Sequence, residues 1–242
     1  MTSNEPEDEA PAAPTFSPGL SATELDAVRR RVLNVIGHEL RTPVTTIHGL
    51  SRALADADAT QVRDEIAPAL QRNAARLERL LDDLLVASGI STALPVEPST
   101  PVALAPLVDA VWVSVSGTGD PDAPTVTGDA EALAAPGAAR LIVERILDNA
   151  ARYGEPPLTV AIERDGDRVV MTADSPGPEI HPEEVALATE PFFRGERAVM
   201  TGPGIGLGLA VARSLAEHQG GSLRVDPRPG GGLRTVLELP AR

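Results

Sequence analysis

A histidine, a glutamate and a threonine fall within about one helical turn of each other at His38, Glu39 and Thr42. A neutral imidazole is a nucleophile, and a neighbouring carboxylate can take or orient the proton on its other ring nitrogen, so this set suits the acceptance of a transferred group. Thr42 lies on the same side as His38, because residues four apart are neighbours on a helix surface. A second set stands far downstream, where G-P-G-I-G-L-G-L places glycines at 202, 204, 206 and 208 just before a helical pattern. Backbone N–H groups in such a loop approach a polyphosphate closely, and the helix N-terminus adds positive potential. Alone, a glycine run of this kind is more often a flexible turn. It is not a dinucleotide fingerprint, since no strand-loop-helix unit with a downstream acid surrounds it.

The element that must position the first set is a long amphipathic helix from about Ala22 to Ala55. Leu25, Val28, Val32, Ile36, Leu40, Ile47, Leu50 and Leu54 recur three or four apart and form one apolar face. At about 100° per residue His38 points roughly 160° from the middle of that face, away from any packing seam. Pro43 has no N–H for the carbonyl of Glu39, which predicts a bend or loosening beside His38. Ser21 is the expected N-cap, with Glu24 completing a capping box. A turn over Asp56 to Thr60 leads to a second helix from about Gln61 to Ala87, with Val62, Ile66, Leu70, Leu77, Leu80, Leu81 and Leu84 as its seam and Ser88-Gly89 as its stop. Pro68 inside it marks a kink or a later true start. Two such helices form an antiparallel hairpin whose seam is too exposed for one chain, so a homodimeric four-helix bundle is expected.

Composition narrows the partners. The 242 residues carry 21 basic and 35 acidic side chains, a net charge of −14, and every basic one is Arg. Nucleic acid and anionic membrane are poor partners for such a surface. Aromatics make up 2%, so Leu, Val, Ile and Ala must build the core. With no Cys there are no disulfides or thiolate metal sites, which fits a cytoplasmic setting. No apolar run reaches the ~18 residues of a membrane span, and the start has no signal-peptide pattern.

Residues 1–20 read as a disordered acidic tail, 21–91 as the helical hairpin, 92–101 as a Pro-rich linker and 102–242 as a second domain. In that domain helical patterns near Leu104 to Val115, Ala138 to Tyr153 and Leu207 to Gln219 alternate with strands near Thr125 to Thr127, Leu158 to Glu163, Arg168 to Ala173, Ser222 to Val225 and Arg234 to Leu239. Asp165-Gly166 reads as a hairpin turn. The predicted fold is an α/β two-layer sandwich, with helices on one face of a mixed sheet.

The run H-E-L-R-T-P from His38 to Pro43 closely resembles the phosphoacceptor box of sensor histidine kinases of two-component systems. I-L-D-N-A-A-R-Y-G at Ile146 to Gly154 resembles their Asn box, Glu190 to Gly195 their Phe box, and Gly204 to Leu209 their second glycine box, in the family's order. The resemblance implies a Bergerat-type ATP-binding fold that serves as catalytic domain, with the hairpin as dimerisation and phosphotransfer domain. It implies ATP and Mg²⁺ as cofactors, with Asn149 as the Mg²⁺ ligand, a hard oxygen donor for a cation bound chiefly through phosphate. Arg152 sits where the family commonly places a basic residue on the phosphates, with Tyr153 beside it. Gly204, Gly206, Leu207 and Gly208 would cradle the nucleotide. The segment from Arg194 to Pro203 would be a short lid, with Arg194 and Arg197 as candidate phosphate contacts. The implied activity is autophosphorylation of His38 and transfer to an Asp of a response regulator receiver domain, with Thr42 orienting a water for the reverse reaction.

Two positions depart from the family's pattern. Its first glycine box usually places an Asp on the adenine amino group two residues before a Gly; counting back from Gly177 puts Ser175 there, with Asp174 one residue early. Alternation through Val169, Met171 and Ala173 favours Ser175, which loses the charge-assisted strength of a carboxylate. Arg145 stands where another Asn is usual, and a guanidinium cannot ligate Mg²⁺. The alternative these departures leave open is a signalling scaffold or phosphatase with a degenerate nucleotide lobe.

Overall fold

The computed structural model describes residues 22–55, 57–87, 97–116, 122–201 and 204–242. The acidic tail, the Ser21 cap and the Ser88-Gly89 stop lie outside them. The first helix, α1 (Ala22–Ala53), continues through Pro43. The hydroxyls of Thr42, Thr46 and Ser51 each donate to the carbonyl four residues earlier, at 2.8 to 3.1 Å. This back-bonding keeps the short polar side chains on the helix wall.

The second limb starts earlier than its apolar pattern suggests. Asp58 Oδ1 accepts from the N–H groups of Thr60 and Gln61, both at 2.9 Å, while the Gln61 side chain accepts from the Asp58 N–H. This reciprocal cap opens α2 (Ala59–Gln61). A π-helical turn, Val62–Ile66, follows, closed by the Ala67 N–H on the Val62 carbonyl, and α3 (Ala67–Ala87) begins there. Pro68 therefore follows the π-helical turn within a continuous run of helix, and its missing N–H falls beside that wider turn. Helix α1 packs along α3 as the expected hairpin.

Beyond it, β1 (Thr100–Ala103) pairs antiparallel with β3 (Glu131–Ala134). The last two residues of the expected linker, Thr100 and Pro101, therefore belong to a strand. Strand β3 was not anticipated, because Glu-Ala-Leu-Ala carries no β-branched or aromatic residue. The main sheet has the order β2-β4-β5-β7-β6. It comprises β2 (Thr125–Thr127), β4 (Thr159–Asp165), β5 (Arg168–Ser175), β6 (Ser222–Pro227) and β7 (Leu233–Pro240). Only β2 and β4 run parallel, so the sheet is mixed. Gly166, with φ of +60°, turns β4 into β5.

Helices α4 (Leu104–Ser116), α5 (Pro136–Tyr153) and α8 (Gly208–His218) share one core with the sheet. Two short helices, α6 (Pro182–Leu187) and α7 (Glu196–Thr201), lie between β5 and α8. Inward residues alternate along the strands as the pleat requires, with Val160 and Ile162 on β4 and Val169, Met171, Ala173 and Ser175 on β5. Leu80 and Leu84 of α3 pack against the edge of this core, so the hairpin and the sandwich are in contact.

Leu147 on α5 is fully buried in that core. Leu147→Ala should lower the free energy of unfolding by about 2 to 5 kcal/mol, measured by urea titration.

Candidate functional site

Helix α5 buries Ile142, Val143, Ile146, Leu147 and Ala150 on one side. At about 100° per residue this turns Arg145, Asn149, Arg152 and Tyr153 toward a cleft of about 620 Å³, within the usual range for ligand pockets. Its other walls are the chain after β5 from Ser175 to Ile180, the segments Phe193–Gly195 and Gly204–Leu209, and, from the hairpin, Glu39, Arg76, Arg79, Leu80 and Asp83.

At the end of β5 the strand's alternation separates two neighbours. Ser175 points inward, and its Oγ lies 1.9 Å from where a Cβ on Gly154 would stand. Only a residue without a side chain fits at 154, and that close approach lets the hydroxyl line the cleft. Asp174 points the other way, where its two carboxylate oxygens accept from Nε and Nη2 of Arg234 at 2.7 Å each. The hydrogen bonds from Arg234 hold this carboxyl below the ordinary aspartate range, against a smaller opposing effect of burial.

The glycines divide by role. A Cβ on Gly206, whose φ is +72°, would stand 2.3 Å from the Phe193 carbonyl, so the residue is bare because the glycine loop packs on the Phe box. The Phe192 N–H donates back to the Gly206 carbonyl at 2.9 Å. Gly204 faces the Tyr153 hydroxyl and Gly208 the Arg145 side chain, both with room to spare, so their bareness leaves backbone open to the cleft. Gly177 abuts Gly232, and the turn Gly230–Gly232 lies against the carbonyls of Ser175 and Gly177.

The arginines are committed unequally. Arg152 bonds Asp148 one turn back at 2.9 Å and is half-exposed at the rim. Arg194 donates to the carbonyls of Ala198 and Gly204, strapping together the two ends of the segment read as a lid. The Arg197 side chain lies outside the described residues. Arg145 is 6% exposed and stands 2.8 Å from the carboxylate of Asp83 on α3. Burial pushes the Asp83 carboxyl up to about 6; Arg145 opposes that shift, and Asp82, Asp148 and Glu144 add to it.

On the hairpin, Glu39 accepts from Arg76 Nη2 at 2.9 Å and borders the cleft, while His38 is exposed beside it. The Thr42 hydroxyl is bonded to the His38 carbonyl at 3.1 Å. Among the described residues no group of three or more His, Asp or Glu is placed to hold a metal ion. Asn149 offers a hard oxygen donor in the cleft, so the donor set fits a divalent cation that arrives with, and is held mainly by, a polyphosphate.

Two family models match. Residues 28–91 match the His Kinase A (phospho-acceptor) domain, and residues 135–242 match the histidine kinase-, DNA gyrase B-, and HSP90-like ATPase. The chain belongs to the two-component sensor histidine kinases. It is 28% identical to the sensor histidine kinase CpxA of Escherichia coli strain K12 over 97% of its length, and 28% identical to the sensor protein KdpD of Mycobacterium tuberculosis over 89%. It spans about half of CpxA and about a quarter of KdpD, 52% and 26% of their lengths. In fold it is similar to the histidine kinase AdeS of Acinetobacter baumannii, with a TM-score of 0.60 at 19% identity covering 85% of this chain and 98% of that one. A full-length ShkA structure gives a TM-score of 0.60 at 23% identity, covering 88% and 46%. Among the described residues no helix is long and apolar enough to cross a membrane.

Measured against these kinases' motifs, the cleft brings together Asn149, Arg152, Tyr153, Ser175, Gly177, Arg194, Gly204, Gly206, Leu207 and Gly208, with Glu39 on the facing wall. Asp174, His38 and Thr42 do not border it. Sequence reasoning missed Asp83, Arg76 and the Gly230–Gly232 turn. The available signals were an acidic pair interrupting the apolar seam in L-L-D-D-L-L and a run of three glycines.

If Ser175 carries the base contact, Ser175→Ala should weaken ADP binding several-fold in isothermal titration, by roughly 0.5 to 1.5 kcal/mol, while Asp174→Ala does little. Asp174 has a different expected signature. Its carboxyl is depressed in the folded chain, so its contribution is full above the ordinary aspartate range and is lost as pH falls through the depressed value. Asp174→Asn should therefore cost about 0.5 to 1 kcal/mol of stability at neutral pH, and urea titrations in increasing acid should show the gap from wild type closing.

Proposed function

We propose that the chain is an ATP-dependent protein histidine kinase that autophosphorylates on His38. The observation that carries this is the composition of the cleft: nucleotide-facing loops on one side and, on the other, the hairpin wall bearing Glu39, the immediate neighbour of His38. Bound Mg²⁺-ATP would supply the γ-phosphoryl group. The open backbone around Gly204 and Gly208, with the N-terminus of α8 behind it, suits the phosphate end, and Ser175 suits the base. Catalysis rests chiefly on in-line positioning and charge neutralisation. In this reading the ring nitrogen of His38 forms the bond to phosphorus and ADP departs. Glu39, held by Arg76, is a fixed negative charge beside the imidazole that gains the phosphoryl group. Because His38 does not border the cleft, the transfer requires the sandwich to shift along the hairpin.

The proposed organisation is a phosphotransfer hairpin over 21–91, a catalytic domain over 102–242, and a homodimer formed through the hairpin. Leu33, Val44 and Leu81 leave half or more of their surface exposed on the single chain. Burying each would contribute on the order of 1.5 to 3 kcal/mol, which a second copy provides. The phosphoryl group would then pass to an Asp of a response regulator receiver domain, and Thr42 would orient a water in the reverse reaction. The occupation of Arg145 by Asp83 favours a second reading, a phosphatase or scaffold that holds nucleotide weakly.

Incubation with radiolabelled ATP should give an acid-labile, alkali-stable label that His38→Gln abolishes; a label that survives in the variant would overturn the assignment. Absence of any label, together with no ADP binding up to millimolar concentration in isothermal titration, would favour the second reading. Light scattering of the purified chain should give twice the monomer mass at tens of micromolar.

A further inference from the structure

Arg145 is the most deeply buried cation in the cleft, and its surroundings do not satisfy it. The guanidinium lies within 2.8 Å of Asp83, yet Nε and Nη2 of Arg145 and Oδ1 of Asp83 make no hydrogen bond, because the approach is not along an N–H direction. A guanidinium carries five N–H donors in a planar fork, and leaving them unspent away from water is costly. The side chain runs beside Gly208, its Cδ 3.9 Å from where a Cβ there would stand, so it reaches the glycine loop at the N-terminus of α8. It thus has an anion behind it on the hairpin and shares the wall of the cleft with the glycine loop. Asp83 is an equally poor permanent partner, buried with Asp82, Asp148 and Glu144 nearby.

We propose that Arg145 is a phosphate ligand shared with the hairpin: without nucleotide it rests on Asp83, and a bound polyphosphate takes it over, releasing Asp83 and loosening the catalytic domain from α3. This rests on the reading of the cleft as an ATP site and gives that site a regulation. Nucleotide occupancy and attachment to the hairpin compete for one guanidinium. ATP binding itself then removes the ionic part of that attachment, leaving the apolar contacts of Leu80 and Leu84, and eases the shift that brings phosphate to His38.

Competition for a shared group has a signature that structural support lacks, because removing the competitor improves binding. Isothermal titration of the full chain with ADP and with adenosine, in the presence of Mg²⁺, tests it. Asp83→Asn should tighten ADP by roughly 3- to 10-fold and leave adenosine unchanged, since adenosine has no phosphate. Arg145→Met should weaken ADP by about 10-fold, and adding Asp83→Asn to it should change nothing further. Arg145→Lys, which keeps the charge, should fall between wild type and Arg145→Met, and serves if Arg145→Met does not fold. ADP affinity that is unchanged or weaker in Asp83→Asn would overturn the proposal, as would tightening of adenosine to the same extent. Failure of the wild-type chain to bind either ligand would remove the ATP site itself, an outcome distinct from the others.

Discussion

The structure depends on how one helix divides its surface. Helix α5 is buried along the face that carries Ile142, Ile146 and Leu147, and this burial fixes its rotation about its own axis. At about 100° per residue, whatever stands at 145, 149 and 152 must then look outward into the cleft. No loop has to be ordered to achieve this, and the positions of Asn149 and Arg145 are set by apolar packing on the opposite side. The hairpin packs on the sandwich chiefly through α3 against α8, and Arg145 of α5 adds a side chain that meets Asp83 there.

The base end of the cleft is set by pleat rather than helix pitch. Strand β5 is paired with β7 along its whole length and with β4 as far as Asp174, so its register cannot slip by one residue without turning Met171 and Ala173 out of the core. That constraint gives the hydroxyl of Ser175 to the cleft and the carboxylate of Asp174 to Arg234. Where backbones crowd together, the chain uses bare residues: Gly154 under Ser175, Gly206 under Phe193, and Gly231 and Gly232 under the segment after β5. These glycines hold the walls close, whereas Gly204 and Gly208 leave backbone open.

Much of this was legible in the sequence because it follows from short-range periodicity. The α1 stripe, the alternation on β5 and the order of the boxes specify the hairpin, the sandwich and the side of β5 that faces inward. What was not legible depends on contacts between distant segments. Nothing local tells that Asp83 and Arg145 meet across 62 positions, or that Arg76 holds Glu39. Strand β3 escaped because alanine has no preference for extended chain, and its pairing with β1 is decided by tertiary packing. The start of α2 was misplaced for a different reason: its cap is a polar side-chain exchange between Asp58 and Gln61, which an apolar pattern does not record. Pro43 does not end the helix, which continues for ten residues beyond it to Ala53.

The π-helical turn at Val62–Ile66 has a consequence for how rotation travels along the hairpin. A turn closed five residues back holds about one residue more than an α-helical turn, so the faces on either side of it are offset by about 100°. The tip around α2 and the body of α3 are therefore indexed separately, and an apolar stripe drawn straight through both does not describe one continuous seam. Winding that turn into ordinary α-helix would leave one residue to be absorbed at the tip and would twist α3 beneath the catalytic domain. The wide turn thus sets the phase between the tip and the helical surface on which Asp83 and Leu84 stand.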